Sequence, residues 1–175
     1  MLSKIRHFVD HNTLLMIYYG IFSSILLYGS QIWGQNNNIV TKMLTLQKKA
    51  LRIVNFAPYR SHASPLFKTC NILKFNDNIN LQNFLFAYDT IHDNLPSSLT
   101  GQLTLVNTGL NTRSVSYYQL NNPFSRTKLY GTNSIKSKSI HIWNQVNYNN
   151  HQKKLWELSR NVCKKFVSKL FLDSY

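Results

Sequence analysis

Residues 38–56, Asn-Ile-Val-Thr-Lys-Met-Leu-Thr-Leu-Gln-Lys-Lys-Ala-Leu-Arg-Ile-Val-Asn-Phe, carry the clearest structural signal in this chain. Ile39, Met43, Leu46, Ala50, Ile53 and Val54 recur at three- and four-residue steps, so they share one arc of a helix. Lys42, Lys49 and Arg52 line the opposite arc, with Lys48 at its margin. Such a helix turns its apolar arc inward and leaves a basic ridge outward. Pro58 stops it. Upstream, Leu14 to Trp33 runs for 20 residues without a charge. That stretch predicts a long apolar helix, started by Asn12 as N-cap before Thr13 and ended by Gly34 and the asparagines after it. Leu2, Ile5 and Val9 predict a short helix before it. Downstream, Ser64 as N-cap with Pro65 starts a brief helix through Cys70. Another helix runs from Asp77 to Asp93, with Leu81, Phe84, Leu85 and Tyr88 on one face, before Asn94 and Pro96 end it. The fold class is mainly α.

From Ser97 to about Tyr148 the pattern changes to polar runs with Gly101, Gly109 and Gly131. Alternation is local, at Val115 and Tyr117 or Ile140 and Ile142, and predicts loops with one or two short strands. From His151 to Phe171 a helical period returns, with Leu155, Leu158, Val162, Phe166 and Leu170 as a narrow docking stripe. The expected organisation is a helical domain over 1–96, a loop-rich segment over 97–150 and a C-terminal docking helix over 151–175. No internal repeat stands out.

Lys and Arg outnumber Asp and Glu by 20 to 6, a net charge of +14 on 175 residues. A basic surface of that strength calls for a polyanion, either nucleic acid or an anionic membrane face. The cations are spread from Lys4 to Lys169, so the partner meets a folded surface and not a charged tail. No secretory leader is evident, which points to an intracellular protein. By length the 14–33 stretch could span a bilayer. Against that, it contains Gly20, Gly29, Ser23, Ser24 and Gln31 and places tyrosines near its middle, so a core helix is the simpler reading. Cys70 and Cys163 lack metal-type spacing and read as buried, reduced thiols.

A series of short motifs runs through the chain in order: Leu27-Tyr28-Gly29 with Trp33-Gly34, Leu46-Gln47-Lys48-Lys49-Ala50-Leu51-Arg52-Ile53, Pro65-Leu66-Phe67, Asn71-Ile72-Leu73, Asn111-Thr112-Arg113 and Ile142-Trp143-Asn144. Their order and spacing resemble the region just after the catalytic palm of non-LTR (LINE-type, jockey-like) retrotransposon reverse transcriptases. The resemblance implies a thumb-like helical bundle with a loop-rich C-terminal extension and a final helix. It also implies a parent RNA-directed DNA polymerase that uses Mg, whose palm and fingers lie upstream of Met1 and are partners of this region. Nucleus or cytoplasm follows as the compartment. In the family, Ile-Trp-Asn follows a Gly-Pro pair and precedes Leu-Pro; here those places hold Ser139-Ile140 and Val146-Asn147.

Two-metal nucleotidyl transfer needs clustered carboxylates. The acidic residues here are Asp10, Asp77, Asp89, Asp93, Glu157 and Asp173, no two adjacent. Asp89 and Asp93, one turn apart, read as solvated residues near a helix end. His62 between Ser61 and Ser64 has nucleophile-type neighbours but no orienting carboxylate nearby, so it reads as a loop residue. No zinc spacing and no phosphate-cradling glycine loop is present. The chain therefore reads as carrying no catalytic residue, no metal site and no cofactor of its own. A binding surface for RNA or DNA remains. Its candidate residues are Lys42, Lys48, Lys49 and Arg52 on the ridge, Arg60 in the following loop, and Arg113, Arg126 and Lys128 in the loop-rich part. Lys136 and Lys138 join that second group, interleaved with Tyr117, Tyr118, Phe124 and Tyr130, a mixture suited to single strands. Trp33, Trp143 and Trp156 read as core anchors. A membrane-associated protein held by residues 14–33, or a protein-interaction module docking through its last helix, are the alternatives.

Overall fold

The computed structural model describes residues 2–99, 101–106, 118–122, 124–127, 131–150 and 153–175. It is mainly helical, with α1 (Leu2–Ile5), α2 (His11–Ile17), a π-helical segment (Tyr18–Ser23), α3 (Ser24–Leu27), α4 (Ser30–Trp33), α5 (Asn37–Val54), α6 (Ser64–Thr69), α7 (Phe75–Ile91), α8 (Ile135–Asn149), a 3₁₀ turn (Leu155–Glu157) and α9 (Arg160–Asp173). Two units fold compactly, one comprising Met1–Asn78 with Leu170–Tyr175 and the other Ile79–Lys169.

In the first unit, α2 starts two residues earlier than the sequence suggests. Asp10, not Asn12, is the N-cap, and its carboxylate accepts from the backbone N–H of Asn12 at 3.2 Å and of Thr13 at 3.4 Å. A carboxylate there also meets the positive end of the helix. The apolar stretch is not one straight helix. Its backbone widens into π-helical turns at Tyr18–Ser23 and breaks at Gly29, whose φ of 61° is left-handed. Trp33 locks that break by donating its indole N–H to Tyr28 O at 2.8 Å. The extra residue per π turn rotates the faces, so Leu14, Tyr18, Leu26 and Ser30 are buried whereas Met16, Ile25, Tyr28 and Ile32 are exposed. The expected all-round burial of this stretch does not occur. Among the described residues no helix is long and apolar enough to cross a membrane.

α5 is capped by Asn36, whose side chain accepts from the Asn38 N–H at 3.0 Å. Its buried line is Val40, Gln47, Ala50, Leu51 and Val54, rotated from the expected arc, and Leu46 is exposed. The core of this unit joins Leu14 and Tyr18 to Ala50, Leu51, Val54, Ala63, Phe67 and Ile72. Ala63 precedes α6 as its cap residue, and Ser64 is already helical with Pro65 in the first turn.

Gln47 lies inside this core at 2% exposure with its whole amide used. Its Nε2 donates to Leu73 O at 2.9 Å and to the Tyr18 hydroxyl at 3.1 Å, and its Oε1 accepts the Phe75 N–H at 2.8 Å. Burial pushes the Tyr18 hydroxyl up to about 12, so it stays neutral. Beside it, Tyr175 Oη accepts the Lys74 N–H at 2.8 Å and donates to Asp77 at 2.7 Å, while Lys74 Nζ sits 3.8 Å over its ring.

The second unit is built on α8. The segment read as loops and strands holds this 15-residue helix, capped by the Ser134 side chain on the Ser137 N–H. Ile140 and Ile142 lie within it and form no strand. Buried Ser139, Ile140, Trp143, Val146 and Asn147 follow helical spacing, and Trp143 stacks on Phe84 at 5.0 Å. The strand-like feature among the described residues is one antiparallel bridge, Leu105 with Leu120. Asn144 holds that second segment in place, accepting the Leu120 N–H at 2.8 Å and donating to Leu120 O at 2.9 Å. The final helix begins only at Arg160, so Cys163 and Val167 are its buried pair and Val162 is exposed.

Replacing Gln47 by Leu strands the Phe75 N–H and the Leu73 carbonyl in a dry core, at about 1–3 kcal/mol for each group left unpaired. Urea unfolding of Gln47→Leu is expected to show a loss of about 2–4 kcal/mol with an unchanged m-value. A loss under about 1 kcal/mol would mean that water or rearrangement replaces these bonds.

Candidate nucleic-acid interface

The ridge residues of α5 divide into two kinds. Lys42 and Lys49 are exposed and Lys48 is half-buried. Arg52 is half-buried too, and its Nε donates to Ser61 O at 2.9 Å, pinning the loop after α5. It therefore serves structure as well as charge. Arg60, in that loop, is exposed. Lys49 also stands at the lip of an apolar groove of about 500 Å³ lined by Ile21, Ile25, Met43, Leu46 and Ile53. The side of α5 that was expected to be core thus faces this open groove.

In the second unit Arg126 is exposed, as is Lys136 in the first turn of α8. Lys138 is half-buried, and burial pushes its ammonium below the usual lysine range. Arg113, Lys128, Tyr117 and Tyr130 lie outside the described residues, as does the Asn111-Thr112-Arg113 motif. Phe124 is almost wholly exposed, whereas Tyr118 stacks on Trp156 at 4.9 Å and its carbonyl accepts the Trp143 indole N–H at 2.8 Å. Trp143 and Trp156 are buried anchors; Trp33 is half-buried and stacks on Phe75 at 5.4 Å.

Four of the six acidic residues are tied to structural partners. Asp10 caps α2, Asp77 accepts from Tyr175, and Glu157 pairs with Lys154 at 3.2 Å. Asp89 is buried, not solvated as expected, and takes a two-pronged contact from Arg160 at 2.7 and 2.9 Å. That hydrogen-bonded carboxylate raises the Arg160 guanidinium above its usual range. The nearby Asp93 is exposed with a left-handed φ of 52°. Among the described residues no group of His, Cys, Asp or Glu is placed to hold a metal ion. Cys163 is buried, its thiol donating to Leu155 O at 2.9 Å and pushed by burial up to about 11; Cys70 is half-buried against Asn55.

A feature the sequence reading passed over is the polar face of α8. His141, Asn144, Gln145 and Tyr148 fall at steps of three and four, one helix stripe, and that spacing was readable. With Gln119, Asn122 and Asn149 they line a hollow of about 300 Å³. A neighbouring hollow of about 390 Å³ shares Asn122 and His141 and adds Asn80, Thr132, Ser137 and Lys138. Among the described residues no carboxylate lines either.

These features define a basic, mainly helical protein with two cationic regions and one amide-lined face. No family model, curated protein or solved structure matches the chain.

The Asp89–Arg160 pair is charge-assisted, two-pronged and half-desolvated, unlike a surface pair. A double-mutant cycle with Asp89→Asn and Arg160→Met, followed by urea unfolding, is expected to give a coupling of about 1–3 kcal/mol. Coupling under about 0.5 kcal/mol would place this contact among the inconsequential surface pairs.

Proposed function

We propose that this chain binds RNA or DNA through basic helical faces, as the thumb-like part of a non-LTR retrotransposon reverse transcriptase, and that it is not a polymerase by itself. The observation that carries the reading is the placement of charge. The first unit holds nine Lys and Arg against three acidic residues, and the second eleven against three. Each unit thus presents its own excess of cations to a polyanion.

The motif trail supports the family assignment. Its residues sit at points that organise the fold: Gly29 at a left-handed break, Phe67 and Ile72 in the core, Leu73 on Gln47, Trp143 on Phe84 and Asn144 on Leu120. Motifs of this kind preserve a scaffold, and a thumb is a scaffold that grips the duplex backbone. In this reading Mg and the paired carboxylates belong to the palm, the palm and fingers are protein partners, and the compartment is nucleus or cytoplasm. The open apolar groove beside α5 favours a second reading as a protein-docking module, and under the first reading it would face those partners.

Binding carried by phosphate contacts weakens linearly in log–log terms with salt, by about 0.9 per contact on a duplex. Measured by fluorescence anisotropy on a duplex between about 50 and 200 mM salt, affinity is expected to fall steeply, on the order of a hundredfold or more. Lys42→Ala, Lys48→Ala and Lys49→Ala together are expected to reduce the slope by about 2–3. Salt-independent binding, or none at about 50 mM, overturns the proposal. Supplied with template, primer, magnesium and nucleotides, the chain is expected to extend nothing. Robust extension would refute the non-catalytic assignment.

A further inference from the structure

We infer that the amide-lined face of α8 is a pocket for unstacked nucleobases of a single strand. This rests on the nucleic-acid reading but assigns a different surface and a different kind of contact. Two adjoining hollows in the second unit share Asn122 and His141, and their sizes match the smaller end of small-ligand pockets. Their lining side chains are amides, hydroxyls, an imidazole and Ile142, with Lys138 as the cation. Most of the exposed wall is carbon with polar atoms set into it, which suits a flat ring better than a compact anion, and a free anion finds little positive charge. A planar ring edged with both donors and acceptors fits, because an Asn or Gln amide can pair with a base edge through one donor and one acceptor.

The pocket is also preformed. Asn144 commits its amide to the Leu120 backbone and so fixes the segment that carries Gln119 and Asn122, whereas the side chains of Gln119, Asn122, His141, Gln145 and Asn149 make no hydrogen bond among the described residues. Gln145 and Asn149, one turn apart, are exposed at the mouth. Tyr148 beside them has a partner of its own, yet at 69% exposure it still leaves ring surface on which a base can stack. Lys136, exposed in the first turn of α8 five residues before His141, adds positive charge at this end of the helix. A duplex buries its Watson–Crick edges in pairing and its base faces in stacking, so a pocket that takes in a whole unstacked base discriminates single strands from duplexes.

The test uses the full chain and fluorescence anisotropy at fixed salt, with a ten-nucleotide single-stranded RNA, the same DNA sequence and a duplex of equal length. A free nucleoside monophosphate serves as competitor. Gln145→Ala with Asn149→Ala, both surface changes, is expected to weaken single-strand binding about tenfold or more and duplex binding less than twofold. Tyr148→Ala is expected to weaken it similarly, with Tyr148→Phe restoring most of the affinity through the retained ring. Competition by the monophosphate at millimolar concentration would extend the site to free nucleotides and still support a base pocket. Equal losses on single strand and duplex, or no loss on either, overturn the inference. If the α5 lysine variants lose binding while the α8 variants keep it, the backbone-binding proposal stands and the base pocket falls. If the unmodified chain binds no nucleic acid, both fall.

Discussion

Three backbone or hydroxyl groups from separate parts of the first unit converge on one buried amide. Gln47 ties the Tyr18 hydroxyl, the Leu73 carbonyl and the Phe75 N–H to the middle of α5. The first N–H groups of a helix have no partner within it, and in a dry core an unpaired one is expensive. Gln47 removes that penalty at the start of α7, and Tyr175 does the same one residue earlier, at Lys74. The start of α7 is thereby set by side chains 28 and 101 residues away. Phe75, once placed, stacks on Trp33, which in turn holds the break at Gly29. A half-satisfied version of this network would be worse than an apolar core, so the parts stand or fall together.

The visibility of each element in the sequence follows from the range of the forces that make it. α5, α6 and α7 were legible as helices because local spacing and proline punctuation are short-range signals, although α6 is capped by Ala63 and not Ser64, and α7 runs Phe75–Ile91 and not Asp77 to Asp93. Gln47 was not. In Leu46-Gln47-Lys48-Lys49 a polar residue reads as part of a solvated face, and none of its partners lies on its own helix. α8 was missed for a related reason, since Ser139 and Asn147 are buried polar residues that interrupt the apolar arc. The 14–33 stretch was seen as helical but its burial was misjudged, because π-helical turns shift faces in a way that a 3.6-residue period does not encode. Asp89 and Arg160 are 71 residues apart, and nothing local links them.

The candidate surface was half legible. Charge excess and the lysines of α5 are compositional facts, visible without a fold. The role of Arg52 as a loop clamp, by contrast, needed the position of Ser61. The α8 stripe needed only its spacing, but amides advertise no chemistry until the walls around them are known.

Charge and fold are in tension in this molecule. Among the described residues two ion pairs are made, Lys154 with Glu157 and Arg160 with Asp89. Few other carboxylates are left to balance 20 Lys and Arg, so the exposed cations repel one another across each unit's surface. Such repulsion opposes compaction, and the folded state is held by the buried networks around Gln47 and Trp143 in spite of it. A polyanion that docks on the folded surface relieves that repulsion, and by linkage it stabilises the fold it binds. The lysines on α5 can contribute only this non-directional attraction, which tolerates any sequence and any register. Amide side chains on α8 are directional and nearly uncharged, so what they add is discrimination. On the proposed reading the two surfaces divide the work by the physics of their side chains: charge brings a strand to the protein, and oriented hydrogen bonds decide which strand stays.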